Sequence, residues 1–407
     1  MPRTTPAWTV VPAWSAAAER DVAVGARRSG RSPSYREPVA AGGWSAAVRW
    51  LLVAALIAVL VALPSLIGRL PASDEPVSAP DLRAAVLASG DVAFSGYAES
   101  AGGLALPVTE DLGSVADLFS DRTTMRVWWR SPSDNRVDVV TPTGETGTRR
   151  DASGTWTWEY ERATATRAAL GPLALPSPPD LLPSALGRRL VSEATEQEVS
   201  RIGARRVAGR DALGLRLEPD QAASSVSHVD LWVDADTGLP LQVQLFAGET
   251  ARAAMDTRFL DLELAEPAAG TTAFTPPPGA RVRQAQETEI VLEAGRRIRP
   301  VPLPAELAGL PRRSLEGVPP GIALYGRGVT LLAVAPLPRN LASGLRTTLA
   351  QAPGAVVDPA GVRVAAGPVG LMYVDVPGRG PYALTGTVTV EALAAAAAQV
   401  PALGRAS

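Results

Sequence analysis

Between residues 92 and 264 apolar side chains return at every second position in one short run after another, the pattern of strands with one face toward a core and the other toward water. The runs are Val92 and Phe94; Met125, Val127 and Trp129; Val137 and Val139; Trp156, Trp158 and Tyr160; Leu213, Leu215 and Leu217; Val229, Leu231 and Val233; Leu239, Leu241, Val243 and Leu245; and Leu260, Leu262 and Leu264. Alternate positions carry polar groups such as Arg126, Arg130, Thr155, Thr157, Arg216, Asp230, Gln242 and Gln244. Turn formers at 132–135, 143–145, 152–154 and 236–238 separate the runs, so successive strands pair antiparallel. Helical spacing is scarce. It predicts one amphipathic helix at 81–89, capped by Ser78 or Asp81 and stopped by Gly90, a second at 179–189, and a short third at 193–199. A curved sheet with so little helical cover over its concave face leaves an apolar hollow of a size for one small ligand, and an acyl chain suits it.

Beyond residue 297 the pattern changes. Strand-like runs at 322–325, 328–334, 362–365, 369–376 and 382–388 combine with two helices, 338–349 with Leu341, Leu345 and Leu349 four apart, and the Ala-rich 390–400. This predicts a small α+β domain over 297–407, joined to the first domain (79–278) by a polar linker at 279–296. Gly326-Arg327-Gly328 lacks the spacing and the Lys-Ser/Thr of a phosphate loop and reads as a tight turn.

An uncharged stretch of 19 residues lies between Arg49 and Arg69, close to the roughly 20 that cross a bilayer as a helix. It starts too far into the chain for a cleaved signal peptide, so a retained single-pass anchor at 50–68 is expected, followed by a linker at 69–80. The seven arginines before it place the N-terminus in the cytoplasm and the later domains outside the cell membrane. The tail, 1–45, has no period that buries a core and is expected to be disordered.

Composition narrows the chemistry. The 407 residues include no cysteine and one histidine, His228, which removes disulfides, thiolate nucleophiles, Cys-ligated metals and multi-His centres. No metal, cofactor or catalytic step is expected, and a net charge of -2 gives no field for a nucleic-acid backbone. The chain has no lysine, so its basic residues are all arginine; this bias reads as coding background. His228 reads as a solvated strand residue, and Asp234 and Asp236 as parts of a hairpin turn.

Four segments carry a family resemblance: VAFSGYAE (92–99), TWTWEY (155–160), VAGRDALGLRLEP (207–219) and HVDLWVDADTGLPLQVQLF (228–246). They resemble the lipoprotein-carrier superfamily of LolA, RseB/MucB and mycobacterial LppX/LprG. The resemblance implies a half-open antiparallel β-barrel with a helical lid, a cavity for lipid acyl chains and no enzymatic activity. By position, Phe94, Val127, Trp129, Trp156, Trp158, Leu181, Leu182, Leu215, Leu231 and Val243 are the candidate cavity lining. Each is also readable as packed core; Trp156 and Trp158 stand out because two indoles on one strand face are hard to pack. The two-domain arrangement is similar to RseB/MucB, in which the second domain contacts a membrane-bound anti-sigma factor, although the anchor departs from that family. The expected function is a membrane-anchored, extracytoplasmic lipid- or lipoprotein-binding sensor or regulator, with an envelope protein held by the C-terminal domain. A tethered lipid carrier and a packed interaction module that binds no lipid are the alternatives.

Overall fold

The computed structural model describes residues 48, 50–57, 72–102, 122–142, 144–169, 177–248, 250–285, 303–314, 316, 318 and 321–402. Residues 48 and 50–57 are helical and their large apolar side chains are exposed. The rest of the expected span, 58–68, and the tail, 1–45, lie outside the described residues. Among the described residues no helix is long and apolar enough to cross a membrane.

Twelve strands form one sheet: β1 (Phe94–Gly102), β2 (Arg122–Ser131), β3 (Asp134–Thr141), β4 (Gly144–Asp151), β5 (Gly154–Glu159), β6 (Thr164–Ala168), β7 (Val199–Val207), β8 (Arg210–Leu217), β9 (Val226–Asp234), β10 (Pro240–Ala247), β11 (Met255–Glu263) and β12 (Arg281–Gln284). Their order is β12-β6-β5-β4-β3-β2-β1-β11-β10-β9-β8-β7. Short turns make each sequential hairpin antiparallel, and β1 closes on β11 to join the two halves. Among the described residues, strands β7 and β12 have no partner beyond them, so the sheet is open and does not close into a barrel. The stretch expected as a linker begins as β12, which adds in parallel to β6.

One face of the sheet is covered by two helices. Helix α1 (Ala79–Ala88) is capped as expected, with the Ser78 hydroxyl accepting from the Asp81 N–H (3.2 Å), and buries Leu82 and Val86. Helix α2 (Pro183–Val191) follows a 3-10 turn, Pro178–Leu181, and buries Gly187, Leu190 and Val191. Both join a continuous apolar cluster with side chains from β1, β2, β3 and β7–β11.

Two departures from the sequence pattern have clear causes. In β11 the alternation predicts Leu260 inward, yet Phe259 is buried and Leu260 is 46% exposed. A β-bulge shifts the β1–β11 register between Tyr97 and Ala98, so the pairs run Tyr97 with Asp261 and then Ala98 with Phe259, turning Leu260 outward. Gly96 sits opposite this irregularity, where a Cβ would lie 2.3 Å from the Asp261 carbonyl oxygen. In β5 the hairpin register sets Trp156 opposite Arg149 and Trp158 opposite Gly147, on the face shared with Arg136 and Trp128. The helix-covered face receives Thr148, Thr155 and Thr157 instead.

A second sheet is formed by β15 (Ala323–Arg327), β16 (Thr330–Pro336), β17 (Val356–Asp358), β18 (Gly361–Ala366), β19 (Val369–Val376) and β20 (Gly380–Gly386), in the order β15-β16-β20-β19-β18-β17; a small hairpin, β13 (Glu306–Leu307) and β14 (Leu310–Pro311), precedes it. Helices α3 (Arg339–Gln351) and α4 (Val390–Ala402) cover its opposite faces. Leu349 of α3 packs on Val362 and Val364, whereas Leu393, Ala396 and Ala397 of α4 pack in a cluster with Met372, Val374 and Leu384. This lobe is α+β, as expected.

The turn at 236–238 packs directly on α1. Gly238 has φ +70° and a Cβ there would stand 2.6 Å from the Ala85 carbonyl oxygen; Gly209 has φ +76° with nothing within 4 Å. Both Gly→Ala variants introduce the left-handed strain, but only Gly238→Ala adds the clash. We expect Gly209→Ala to cost about 1 kcal/mol and Gly238→Ala about 2–3 kcal/mol in chemical unfolding. Equal losses would contradict the close approach of turn and helix.

Candidate functional site

The helical cover is fastened at identifiable points. Ser177 and Asp180 form a capping box, the Ser177 N–H and Oγ–H both donating to Asp180 Oδ2 (2.9 and 2.8 Å). The Thr257 hydroxyl, fully buried in β11, donates to the Leu181 carbonyl (2.7 Å). Helix α2 then lies directly on β9 and β10 because Gly187 has no side chain: a Cβ would be 2.8 Å from Pro240 Cβ and 3.1 Å from Leu231 Cδ2. At its C-terminal end Arg83 of α1 donates to the Val191 carbonyl (2.9 Å) and the Ser192 carbonyl (3.2 Å), meeting orphan carbonyls where a cation is favoured.

Eight of the ten candidate residues meet beneath this cover. Phe94, Val127, Trp129, Leu181, Leu182, Leu215, Leu231 and Val243 are each at most 3% exposed and belong to one apolar cluster. Phe94 stacks on Trp129 (centroids 5.9 Å, 7°) and meets Phe259 edge-on (5.2 Å, 77°). The sequence pattern had passed over Phe259, because the bulge that turns it inward leaves no mark in the alternation.

Trp156 and Trp158 stand apart from these eight, on the other side of the sheet. Both pack against Phe274 (5.6 and 6.0 Å), and the Arg149 guanidinium lies 4.8 Å from the same ring. Phe274 belongs to the segment after β11, which crosses this outer face and is also held by Arg130, through the Pro267 carbonyl (2.6 Å) and Glu266 (2.7 Å). The outer face thus gains its own cover of aromatic and guanidinium groups, with Arg136 4.6 Å from the Trp128 ring and chelated by the buried Asp138.

A third feature lies where the two lobes meet. Glu193, just past α2, accepts from both Arg313 nitrogens (2.8 and 2.6 Å) and from the Gly328 N–H (2.6 Å). Glu198, which ends a second capping box begun by Thr195, is buried and accepts from Arg327 through both oxygens (2.8 and 3.1 Å). Arg327 also reaches Asp220 (2.7 Å) and the Glu193 carbonyl (3.1 Å). Val329, next in the same hairpin, is buried in the apolar cluster of the first lobe. Leu190, Ala194, Leu217, Arg327 and Val329 line a crevice here with room for about one water molecule. Backbone bonds between 223–225 and 387–389 extend the contact.

Burial alone would raise the Glu198 pKa, but Arg327 and the backbone N–H groups of Thr195 and Asp220 outweigh it and lower it to about 2. The Glu193 carboxyl is likewise lowered, chiefly by Arg313. His228 stacks on Phe246 (4.3 Å), and its pKa is lowered by burial and then by Arg216. Among the described residues no group of three or more His, Asp or Glu side chains is placed to hold a metal ion.

The chain thus combines an open sheet carrying a helical lid over one apolar face with a small α+β lobe. Residues 174–278, which run from the lid through β11, match the family model described as the MucB/RseB N-terminal domain. The match covers about a quarter of the chain, and over that segment the chain is similar to that domain. Among solved structures it is similar to MucB in the MucA/MucB complex of Pseudomonas aeruginosa (19% identity, 79% of this chain and 96% of that one, TM-score 0.45). It is also similar to MucB in complex with MucA(peri) (19%, 78% and 97%, 0.44) and to a LolA-superfamily protein of Nitrosomonas europaea (10%, 49% and 98%, 0.23). No curated protein sequence matches the chain.

Because the folded Glu198 pKa lies below its ordinary value, its contribution to stability is complete above about pH 4.5 and is lost as pH falls toward 2. We expect Glu198→Gln to lower stability at pH 7 by about 2 kcal/mol, leaving Arg327 half-buried and short of a partner, and to flatten the acid fall between pH 4.5 and 2. Unfolding curves of both proteins across that range check this; parallel acid profiles would contradict it.

Proposed function

We propose that the protein is a membrane-anchored, extracytoplasmic regulatory binding protein of the MucB/RseB kind. The first lobe takes an acyl chain of a lipid or lipoprotein beneath its helical lid, the C-terminal lobe contacts a membrane or envelope protein, and no reaction is catalysed. The observation that carries this is the coincidence of the family match, 174–278, with the lid helix and the strands on which it rests. The MucA/MucB complexes suggest the kind of partner, a membrane-bound anti-sigma factor, and the stretch 50–68 supplies the anchor.

In this conformation the eight candidate residues beneath the lid are packed against one another, so entry of an acyl chain requires α2 to lift from Leu231 and Pro240. The same close packing favours a second reading, an interaction module that binds no lipid. A tethered carrier differs from the regulator in its partner and not in its lobe.

Mass spectrometry of an organic extract from residues 72–407, purified without detergent, separates these readings. The regulator and carrier both predict a stoichiometric acyl lipid that is strongly reduced in Leu182→Ala and retained in Trp158→Ala, since Trp158 faces the other side of the sheet. A lipid-free extract, with no displacement of an apolar fluorescent probe by added fatty acid, would leave the packed module standing. Loss of lipid in Trp158→Ala alone would move the site to the outer face.

A further inference from the structure

We propose that the C-terminal lobe is the latch of the lid: helix α2 is held closed by Arg313 and Arg327, and it lifts only when these let go of the segment that joins α2 to β7. The inference rests on the lid reading given above and adds its control.

The connector between α2 and β7 spans only residues 192–198, and the C-terminal lobe grips it at both ends. Near the helix, the Glu193 carboxylate takes two hydrogen bonds from Arg313 and one from the Gly328 backbone, while its carbonyl takes one from Arg327. At the strand end, Arg327 closes on Glu198, which the first lobe fixes independently through the N–H groups of Thr195 and Asp220 (2.8 and 3.0 Å). One guanidinium therefore ties the helix end of the connector to its strand end. Between them Val329 enters the first lobe's apolar cluster, alongside Leu190 and Ala194.

These contacts leave α2 little freedom. To lift, the helix must withdraw Leu190 and Val191 from the core and carry Glu193 with them. Glu193 cannot travel without breaking three charge-assisted bonds to Arg313 and Arg327 or dragging the whole C-terminal lobe. Opening the lid and loosening the lobe contact are thus one transition. A partner that binds the C-terminal lobe and favours one arrangement of its 326–329 hairpin changes the affinity of the first lobe for its ligand, and the ligand changes the affinity for the partner by the same factor.

Hydrogen exchange of the full chain in lipid nanodiscs of one composition, with no ligand added to any variant, tests this. In Arg313→Ala and in Arg327→Lys, which keeps the charge but loses the bidentate fork, amides of 183–191 are expected to exchange at least about tenfold faster, while those of β2, β3 and α4 keep their wild-type rates. Arg83→Ala, which frees the same helix end from within its own lobe, is the positive control. Wild-type exchange at 183–191 in both arginine variants overturns the latch, as does acceleration confined to the C-terminal lobe or spread equally over all strands. Because every variant is read in the same bilayer with no ligand added, unchanged exchange speaks to the latch, whereas a lipid-free extract speaks to the acyl-binding reading.

Discussion

A twelve-stranded sheet that does not close leaves two broad faces, and covering both is the constraint on which the rest of this molecule depends. An apolar face of this extent is unstable in water unless other elements remove it from solvent. On one side α1, α2 and the turn before α2 do this, and on the other the segment around Phe274 lies over Trp156, Trp158 and Arg149. The two covers differ in chemistry. The inner one packs aliphatic and aromatic side chains with a row of threonines, Thr148, Thr155 and Thr157, at β4 and β5; the outer one is an exchange of guanidinium and ring faces that stays compatible with water.

Scarcity of helical cover makes α2 indispensable to the apolar face. It is short, it touches the sheet at a residue without a side chain, and its ends are held by polar contacts more than by its own length. A nine-residue helix contributes little intrinsic stability. Its position is set by Arg83 and Thr257 from within the lobe and by Arg313 and Arg327 from the next. The apolar interior and the C-terminal lobe therefore share one structural element.

Much of this was legible in the sequence. Period-two alternation located eight of the twelve strands of the large sheet, leaving out β4, β6, β7 and β12, and the inward sets Met125/Val127/Trp129, Leu213/Leu215/Leu217 and Val229/Leu231/Val233 are buried as read. The Ser78 cap and the Asp236-Thr237-Gly238 turn are likewise where turn and cap chemistry put them. Alternation failed in two places for different reasons. In β11 a bulge inserts one residue and reverses the faces of Phe259 and Leu260, a backbone event with no compositional signal. In β5 the indoles are apolar but their strand neighbours leave threonine as the inward row, so hydrophobicity alone pointed to the wrong face. The lobe contact was half visible: Thr195-Glu-Gln-Glu198 carries the spacing of a capping box, but nothing local marks Arg327 as its partner 129 residues away.

The most direct test of the account is the distance between α2 and the sheet with and without an acyl ligand. The chain has no cysteine, so spin labels at Arg189→Cys and Leu260→Cys, both exposed, report it without background. A single short distance is expected in the free protein, and a second, longer population that grows as oleate is added. An unchanged distance distribution at saturating, demonstrably bound oleate would contradict entry beneath the lid.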